Sequence, residues 1–336
     1  MTADAVGGVW TYAAELSEQL AERGDDVVIA ALGPAPAAEQ LALAPSAEIL
    51  VWEGALEWMP DPWDDVARSG EWLLELHDEL RPDVVHLNGY AHAALGFRSP
   101  VVVVAHSCVL SWFRAVRGHA APPEWTRYRR EVERGLRAAD TVVAPTQAML
   151  AALRREYSFA TTSVVIPNGR RTPRPGRKLP FVLAAGRAWD EAKNIGAVER
   201  VAPRLSWPIR IVGDGSDAGH VSQRMLTQLF ATASIFAAPA LYEPFGLTAL
   251  EAGGAGCALV LGDIPSLREV WDDAALYVDP QNDDELAHVL QRLIDDGGMR
   301  ERLATAAHAR AKQFTPERMT DAYCDLYDRV AAGARA

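Results

Sequence analysis

The sequence predicts an α/β protein: two Rossmann-like, doubly wound parallel-sheet domains facing a cleft. Three observations carry this. Short β-branched runs alternate with amphipathic stretches along 336 residues, the pattern of βαβ units. The strand runs are continuously apolar, as parallel strands covered on both faces are. The alternation stops once, in a Pro/Gly/Arg tract near residue 170, and then restarts.

In order, a helix over residues 9–23 leads to a strand at 26–32, and a second strand follows at 49–52. A helix over 65–80 precedes strands at 83–87 and 100–106, then a helix near 124–138, a strand at 141–144, a helix over 147–156 and a strand at 163–167. Asn168-Gly169-Arg170-Arg171-Thr172-Pro173-Arg174-Pro175-Gly176-Arg177 holds two prolines, two glycines and four arginines with no apolar period, which reads as a linker. The second half has strands at 181–185, 209–213, 234–238, 258–262 and 275–278, with helices between them, and ends in helices over 284–295, 300–313 and 316–332. The expected division is 1–169, a linker at 170–178, 179–315, and a last helix over 316–336. Two places look short. Only residues 1–3 could be the tail of a first strand before the turn Asp4–Gly8, so that strand is expected to be largely missing. Residues 214–225 leave little room for a regular helix-plus-strand.

Composition excludes several classes. Hydrophobic residues are 49% and charged residues 23%, an ordinary globular balance. No apolar run approaches the ~20 residues of a membrane span, and no secretory leader is visible. A net charge of −12 argues against a nucleic-acid partner, which needs a basic face. Cys108, Cys257 and Cys324 are odd in number and far apart, which suits a reducing cytoplasm. Only Lys178, Lys193 and Lys312 are lysine among many arginines, so each is a position to inspect.

Ligands in open parallel sheets bind beyond the carboxyl ends of the strands, and the candidate residues lie there. Tyr242-Glu243-Pro244-Phe245-Gly246-Leu247-Thr248-Ala249-Leu250-Glu251 runs from a strand into a helix whose first N–H groups can bind phosphate or sugar oxygens. Glu243 and Glu251 can accept hydrogen bonds from hydroxyls. Two acids at this spacing would by themselves be a capping acid and a solvated one; Pro-Phe-Gly between them favours a binding motif. Gly186-Arg187-Ala188-Trp189-Asp190-Glu191-Ala192-Lys193-Asn194 offers a guanidinium fork and a mobile ammonium, which suit a departing diphosphate. Gly7-Gly8 at a helix start is a weaker signal, and without a full GxGxxG it is not a dinucleotide site. His106 ends a buried strand, where a ligand contact and a satisfied core histidine are equally natural readings. His86 and Asn88 are weaker cases of the same kind, and His92 weaker still. Arg114, Arg117, Arg127, Arg129, Arg130, Arg134 and Arg137 crowd together with Trp112, Phe113, Trp125 and Tyr128. That segment could make a peripheral contact with anionic lipid or hold an anionic acceptor; a solvated helix face interleaved with Glu131 and Glu133 is the simpler reading. No HExxH, GxSxG, P-loop or DxD pattern occurs, so no metal is expected.

Taken together, Gly7-Gly8, Val165-Ile166-Pro167-Asn168-Gly169, Gly186-Arg187 with Lys193-Asn194, Glu243 to Glu251, and Gly262-Asp263-Ile264-Pro265-Ser266-Leu267-Arg268-Glu269 resemble the retaining glycosyltransferases of family 4, which have the GT-B fold. The resemblance covers nearly the whole chain. It implies that residues 1–169 form the acceptor-side domain, that 179–315 form the donor nucleotide-sugar-binding domain, and that the last helix crosses back onto the first domain. It also implies that Glu251 holds ribose hydroxyls, that Glu243 holds the donor sugar with the backbone of Phe245, Gly246 and Leu247, and that Thr248 lies in the same site. Arg187 and Lys193 would neutralise the diphosphate, His106 would bond the donor sugar, and Gly8 would approach the phosphate. The implied activity is hexose transfer with retention from a nucleoside-diphosphate sugar (UDP- or GDP-linked, with no further cofactor) to a glycan, lipid-linked or small-molecule acceptor. A non-catalytic nucleotide-sugar-binding relative is the alternative; turnover of a sugar nucleotide separates the two.

Overall fold

The computed structural model describes residues 1–215, 219 and 221–334. The chain divides into two units. Unit 1 takes Met1–Arg114, His119–Gly169 and the chain from Pro316 onward; unit 2 takes Ala115–Gly118 and Arg170–Thr315.

Unit 1 contains β1 (Thr2–Asp4), α1 (Gly8–Ala21), β2 (Val28–Leu32), α2 (Ala38–Leu41), β3 (Glu48–Trp52), α3 (Trp63–Leu80), β4 (Val85–Leu87), β5 (Val101–Val104), α4 (Val109–Trp112), α5 (Thr126–Ala138), β6 (Thr141–Ala144), α6 (Gln147–Glu156) and β7 (Ser163–Val165). All pairings are parallel, in the orders β1-β2-β3 and β4-β5-β6-β7. β5 and β6 are buried along their whole length, as Val-rich parallel strands covered on both faces should be. The face of α1 carrying Trp10, Ala13, Leu16 and Leu20 packs into one cluster with Ile29 and Ala31 of β2 and Val102 and Val104 of β5.

The expected slot at the first strand is occupied. Thr2, Ala3 and Asp4 pair with Ala30, Ala31 and Leu32, so the strand exists in a three-residue form. On its other side it lies beside β4 without a ladder, and one side chain closes the seam. The backbone N–H of Asn88 donates to Thr2 Oγ1 at 2.9 Å, and Asn88 Nδ2 donates to the Thr2 carbonyl at 2.6 Å. Polar main chain that would otherwise be buried unpaired is satisfied there.

Unit 2 contains β8 (Leu179–Ala185), α7 (Ile195–Val201), β9 (Ile209–Val212), α8 (Gln223–Thr232), β10 (Ala233–Ala238), α9 (Leu247–Gly254), β11 (Ala258–Gly262), α10 (Pro265–Trp271), β12 (Leu276–Val278), α11 (Asp283–Asp295) and α12 (Gly297–Ala311). Its five strands are all parallel, in the order β12-β11-β10-β8-β9. One core gathers Phe230, Phe236, Leu250, Leu259 and Trp271. The short stretch after Gly213 lies partly outside the described residues, at 216–218 and 220; its described residues form no strand. The tract read as a linker lies along unit 2: the Arg170 N–H donates to the Phe314 carbonyl and the Gly176 N–H to the Ala231 carbonyl. The last helix, α13 (Pro316–Ala334), belongs to unit 1. Its Met319, Tyr323 and Leu326 join the cluster under α1.

Candidate functional site

In unit 2 the parallel strands send the β8 loop and the loop before α9 out at one edge, the carboxyl edge where doubly wound sheets bind ligands. Lys193, Glu243, Gly246, Thr248 and Leu267 line a pocket of about 360 Å³ there, open to solvent. The loop after β8 is held by Asp190 and Asn194. Asp190 Oδ1 accepts from the Ala192 N–H. Asn194, in the left-handed region at φ 54°, donates from Nδ2 to the carbonyls of Pro239 and Pro280, tying the loop to the ends of β10 and β12. Asn194 is thus an anchor, and it sets the position of its neighbour Lys193.

Every charged candidate in this unit has a partner of opposite sign. Lys193 Nζ donates to Glu243 Oε2 at 2.6 Å. Arg187 pairs with Asp190 at 2.8 Å and stacks over Trp189, its guanidinium carbon 5.1 Å from the ring centroid. Its Nε is buried and has no hydrogen-bond partner, so one donor of the fork is unused. Glu251 is 5% exposed and accepts from Arg170 Nε at 2.7 Å. The structure therefore brings Lys193, Glu243, Gly246 and Thr248 to one pocket. Arg187 stands outside its lining, and Glu251 is tied to the start of the unit.

The α9 start is left open. Its N-cap is Gly246 in the left-handed conformation, φ 92° and ψ 64°, with no side-chain cap and no acid in the first turn. The first N–H groups of a helix have no intrahelical acceptor, and together with the helix dipole they favour an anion. Phe245 is 2% exposed and packs edge-on against Phe314; its side chain is core. Leu247 begins the helix. Ser266 Oγ donates to the Glu243 carbonyl, fixing the main chain just before the turn.

In unit 1, Gly7 is the N-cap of α1 at φ 96°, again with no side-chain cap, and Gly7 and Gly8 are exposed. His106 follows β5, half-buried. Its Nε2 lies 2.7 Å from Asn88 Oδ1, and its ring meets Tyr12 edge-on at 4.5 Å. Asn88 Nδ2 donates to Thr2, so Asn88 Oδ1 is the acceptor and His106 Nε2 the donor. Burial pushes His106 down to about 3, so the ring is neutral and its Nδ1 is an acceptor. His86 is pushed down to about 3 by the same cause. It is buried against α13, with Nδ1 2.6 Å from the Tyr327 hydroxyl. His92 is half-buried, with Nε2 in reach of the Ser69 hydroxyl and the Val66 carbonyl.

The basic segment is largely paired. Arg114 and Arg129 reach Glu156, Arg130 and Arg134 reach Glu131, Arg137 reaches Glu133, and Arg127 stacks on Trp63. Among the described residues no helix is long and apolar enough to cross a membrane. Nor does any group of three His, Cys, Asp or Glu side chains gather where it could hold a metal ion.

Glycosyltransferase Family 4 matches residues 6–174, half of the chain, and a second profile, Glycosyl transferases group 1, matches residues 218–310. The chain belongs to glycosyltransferase family 4. It is 37% identical over 151 residues to the O-antigen chain mannosyltransferase B of Escherichia coli, covering 45% of this chain and 37% of that protein. The chain thus matches well under two thirds of that relative's length. Over whole chains the fold is that of solved GT-B glycosyltransferases. Sucrose-phosphate synthase from Thermosynechococcus elongatus superposes with a TM-score of 0.80 at 20% identity, over 96% of this chain and 93% of that one. Anabaena HepE, in complex with UDP and glucose, superposes with a TM-score of 0.77 at 16% identity, over 98% of this chain and 100% of that one.

For this family 4 chain, sequence reasoning singles out the Glu243–Glu251 and Arg187–Lys193 motifs but misses what holds them. Arg170 reads as linker in the sequence, and Asp190 only as part of a loop. Asn88, to sequence a minor polar strand end, is the residue that joins Thr2, His86 and His106. A polar residue directly after an apolar β-run is its only signal.

Proposed function

We propose that the chain is a retaining glycosyltransferase. It moves a hexose from a nucleoside-diphosphate sugar, UDP- or GDP-linked, to a hydroxyl of a glycan, lipid-linked or small-molecule acceptor. The observation that carries this reading is the pocket at the carboxyl edge of unit 2, where the uncapped α9 start and the Lys193 ammonium converge. Anabaena HepE, which shares the fold, is in complex with UDP and glucose, and this supports a nucleotide-sugar donor.

On this reading the α9 N–H groups take diphosphate oxygens, and Lys193 and Arg187 neutralise the charge that grows as the diphosphate leaves. Preorganised donors of this kind are often the main source of an enzyme's rate enhancement. Glu243 accepts from sugar hydroxyls once Lys193 turns to phosphate, and Glu251, steadied by Arg170, accepts from the ribose. His106, neutral, accepts a sugar hydroxyl at Nδ1, and the open Gly7-Gly8 turn admits a phosphate oxygen. The acceptor oxygen bonds to the anomeric carbon on the face from which the phosphate departs. The carbon–phosphate-oxygen bond breaks with its electron pair on the phosphate, and that oxygen takes the acceptor's proton. The positive charge comes from side chains and amides, with no metal called on.

The test is release of nucleoside diphosphate from a panel of UDP- and GDP-hexoses with mixed acceptors. The anomeric configuration of the product is read by NMR. Turnover with retention is expected; nucleotide binding in calorimetry without turnover would overturn the enzyme reading in favour of a binding protein.

A further inference from the structure

A chain of polar groups in unit 1 fixes the hydrogens on His106, and Asn88 is its branch point. Asn88 Nδ2 donates to the Thr2 carbonyl at 2.6 Å. Its Oδ1 is therefore turned toward two imidazole nitrogens, His106 Nε2 at 2.7 Å and His86 Nε2 at 3.2 Å. An amide oxygen donates nothing and has two lone pairs, so both rings carry their proton at Nε2 and leave Nδ1 bare. For His86 the bare Nδ1 meets the Tyr327 hydroxyl at 2.6 Å. Burial holds that phenol well above its usual pKa, so the hydroxyl is the donor. Each hydrogen from Tyr327 of α13 through His86 and Asn88 to His106 thus has one direction.

His106 differs from His86 in one respect: its Nδ1 has no hydrogen-bond partner among the described residues. The ring cannot answer this by turning over. A flip would put Cε1 where Nε2 stands and lose the bond to Asn88, and Tyr12 lies edge-on against the ring at 4.5 Å. Asn88 is held in turn by Thr2, through both its main-chain N–H and its side chain. It lines a cavity of about 550 Å³ in unit 1, together with Asp4, Glu57 and Trp58. A bare Nδ1 accepts from a hydroxyl, whereas a protonated one would itself need an acceptor. Burial pushes His106 down to about 3, so the ring is uncharged. Breaking a glycosidic carbon–oxygen bond builds positive charge on the sugar ring. An imidazolium beside that charge would repel it, and an uncharged acceptor does not.

We propose that Asn88 is a positioning residue for the transfer: by accepting from Nε2 it fixes the tautomer and ring orientation of His106, so that Nδ1 takes a hydroxyl of the donor sugar. The role in transfer rests on the reading above; the tautomer does not, and it is measured first. Long-range proton–nitrogen NMR of the chain labelled in its histidine rings, with His106 assigned by its loss in His106→Gln, should show the proton on Nε2 and a bare Nδ1 at neutral pH. Asn88→Ala should move the proton toward Nδ1. Asn88→Asp, of the same shape with an oxygen in the same place, should keep it on Nε2. A native ring protonated on Nδ1, a tautomer unchanged in Asn88→Ala, or loss of the Nε2 proton in Asn88→Asp overturns the proposal. If no sugar nucleotide is turned over, the transferase reading falls on its own and these spectra still decide whether Asn88 sets the ring. For the transfer, Asn88→Ala should lower kcat/KM for UDP-glucose or GDP-mannose about tenfold, the worth of one well-placed hydrogen bond, with UDP or GDP affinity unchanged. Thr2→Val is the structural control, since it removes the hydroxyl that takes the Asn88 N–H and leaves Oδ1 in place. It should lower Tm while tautomer and kcat/KM stay native. Native kcat/KM in Asn88→Ala, or an equal loss in Thr2→Val, would make Asn88 a fastener between strands and nothing more.

Discussion

The two cavities differ in how they handle charge. In unit 2 three cations are matched to acids: Lys193 to Glu243, Arg187 to Asp190, Arg170 to Glu251. In unit 1 the cavity wall has acids and, among the described residues, no arginine or lysine. On the reading proposed above, Lys193 and Arg187 meet a diphosphate when the donor binds, and the acids hold them in place until then. Glu57 is instead held by main chain, accepting from the Tyr90 and Ala91 N–H groups. Charge sorting between the halves is the feature most worth trying to break.

The largest expected effect is on the donor side. Arg187→Ala with Lys193→Ala removes both cations and leaves only the α9 amides for the diphosphate. Loss of one transition-state donor typically costs ~10²–10³ in rate, so the double variant should lose at least about 10³-fold in sugar-nucleotide turnover. Nucleoside diphosphate release reports it. Activity within tenfold of the native chain would remove these residues from the mechanism and leave the charge pattern without a function.

Next comes the buried pair at the start of unit 2. Arg170 and Glu251 have side chains 11% and 7% exposed. Deleting one partner of such a pair strands the other charge, typically at about 3 kcal/mol or more. Arg170→Ala should lower unit 2 stability by about 3 kcal/mol in urea unfolding, and adding Glu251→Gln should recover much of it. A loss under about 1 kcal/mol would mean the pair is solvated and steadies nothing.

Acid should separate the units again. His86, 3% exposed, titrates at about 3 when folded and near 6.5 when unfolded. Between those values the unfolded chain binds the extra proton, so its contribution is present above about 6.5 and is lost as pH falls toward 3. At pH 5, about 1.5 units below the unfolded value, the loss is about 2 kcal/mol. His106 acts in the same direction. His86 and His106 both lie in unit 1, so unit 1 should lose stability on acidification, read by the exchange of its amides. His86→Phe should reduce the sensitivity. A stability of unit 1 flat from pH 7 to 5 would contradict neutral, buried rings.

These contrasts are unequally legible in the sequence. Both sheets can be read because strands such as β5, β6 and β11 are buried throughout and so must be apolar throughout. The Glu243–Glu251 spacing can be read because it is local. The charge partners cannot: Arg170 meets Glu251 across 81 residues, and Lys193 meets Glu243 across 50. The rarity of lysine points to Lys193, which lines the pocket, but equally to Lys178, whose ammonium donates to the carbonyls of Ala255 and Phe230 and is a clamp within the unit. The cavity of unit 1 is not legible in the same way, because Asp4 ends β1 while Glu57 and Trp58 lie together in the loop between β3 and α3, with no shared period.

The smallest effect bears most directly on how the pocket of unit 2 is set. Gly246 sits at φ 92°, and a Cβ there would lie 3.2 Å from Leu267 Cδ2 and 3.4 Å from Glu243 Cγ. Gly246→Ala should cost about 1 kcal/mol from the left-handed backbone alone, with Leu267 giving way by a few tenths of an ångström. The pressure on Glu243 Cγ matters more than the strain, because that side chain carries the acceptor for Lys193. If the Lys193–Glu243 pair is what holds the empty site ready, Gly246→Ala should raise donor KM severalfold while kcat falls little, since the α9 amides stay in place. A drop in kcat with unchanged KM would instead show that the helix start itself had moved, and the pair would then be a bystander to donor binding.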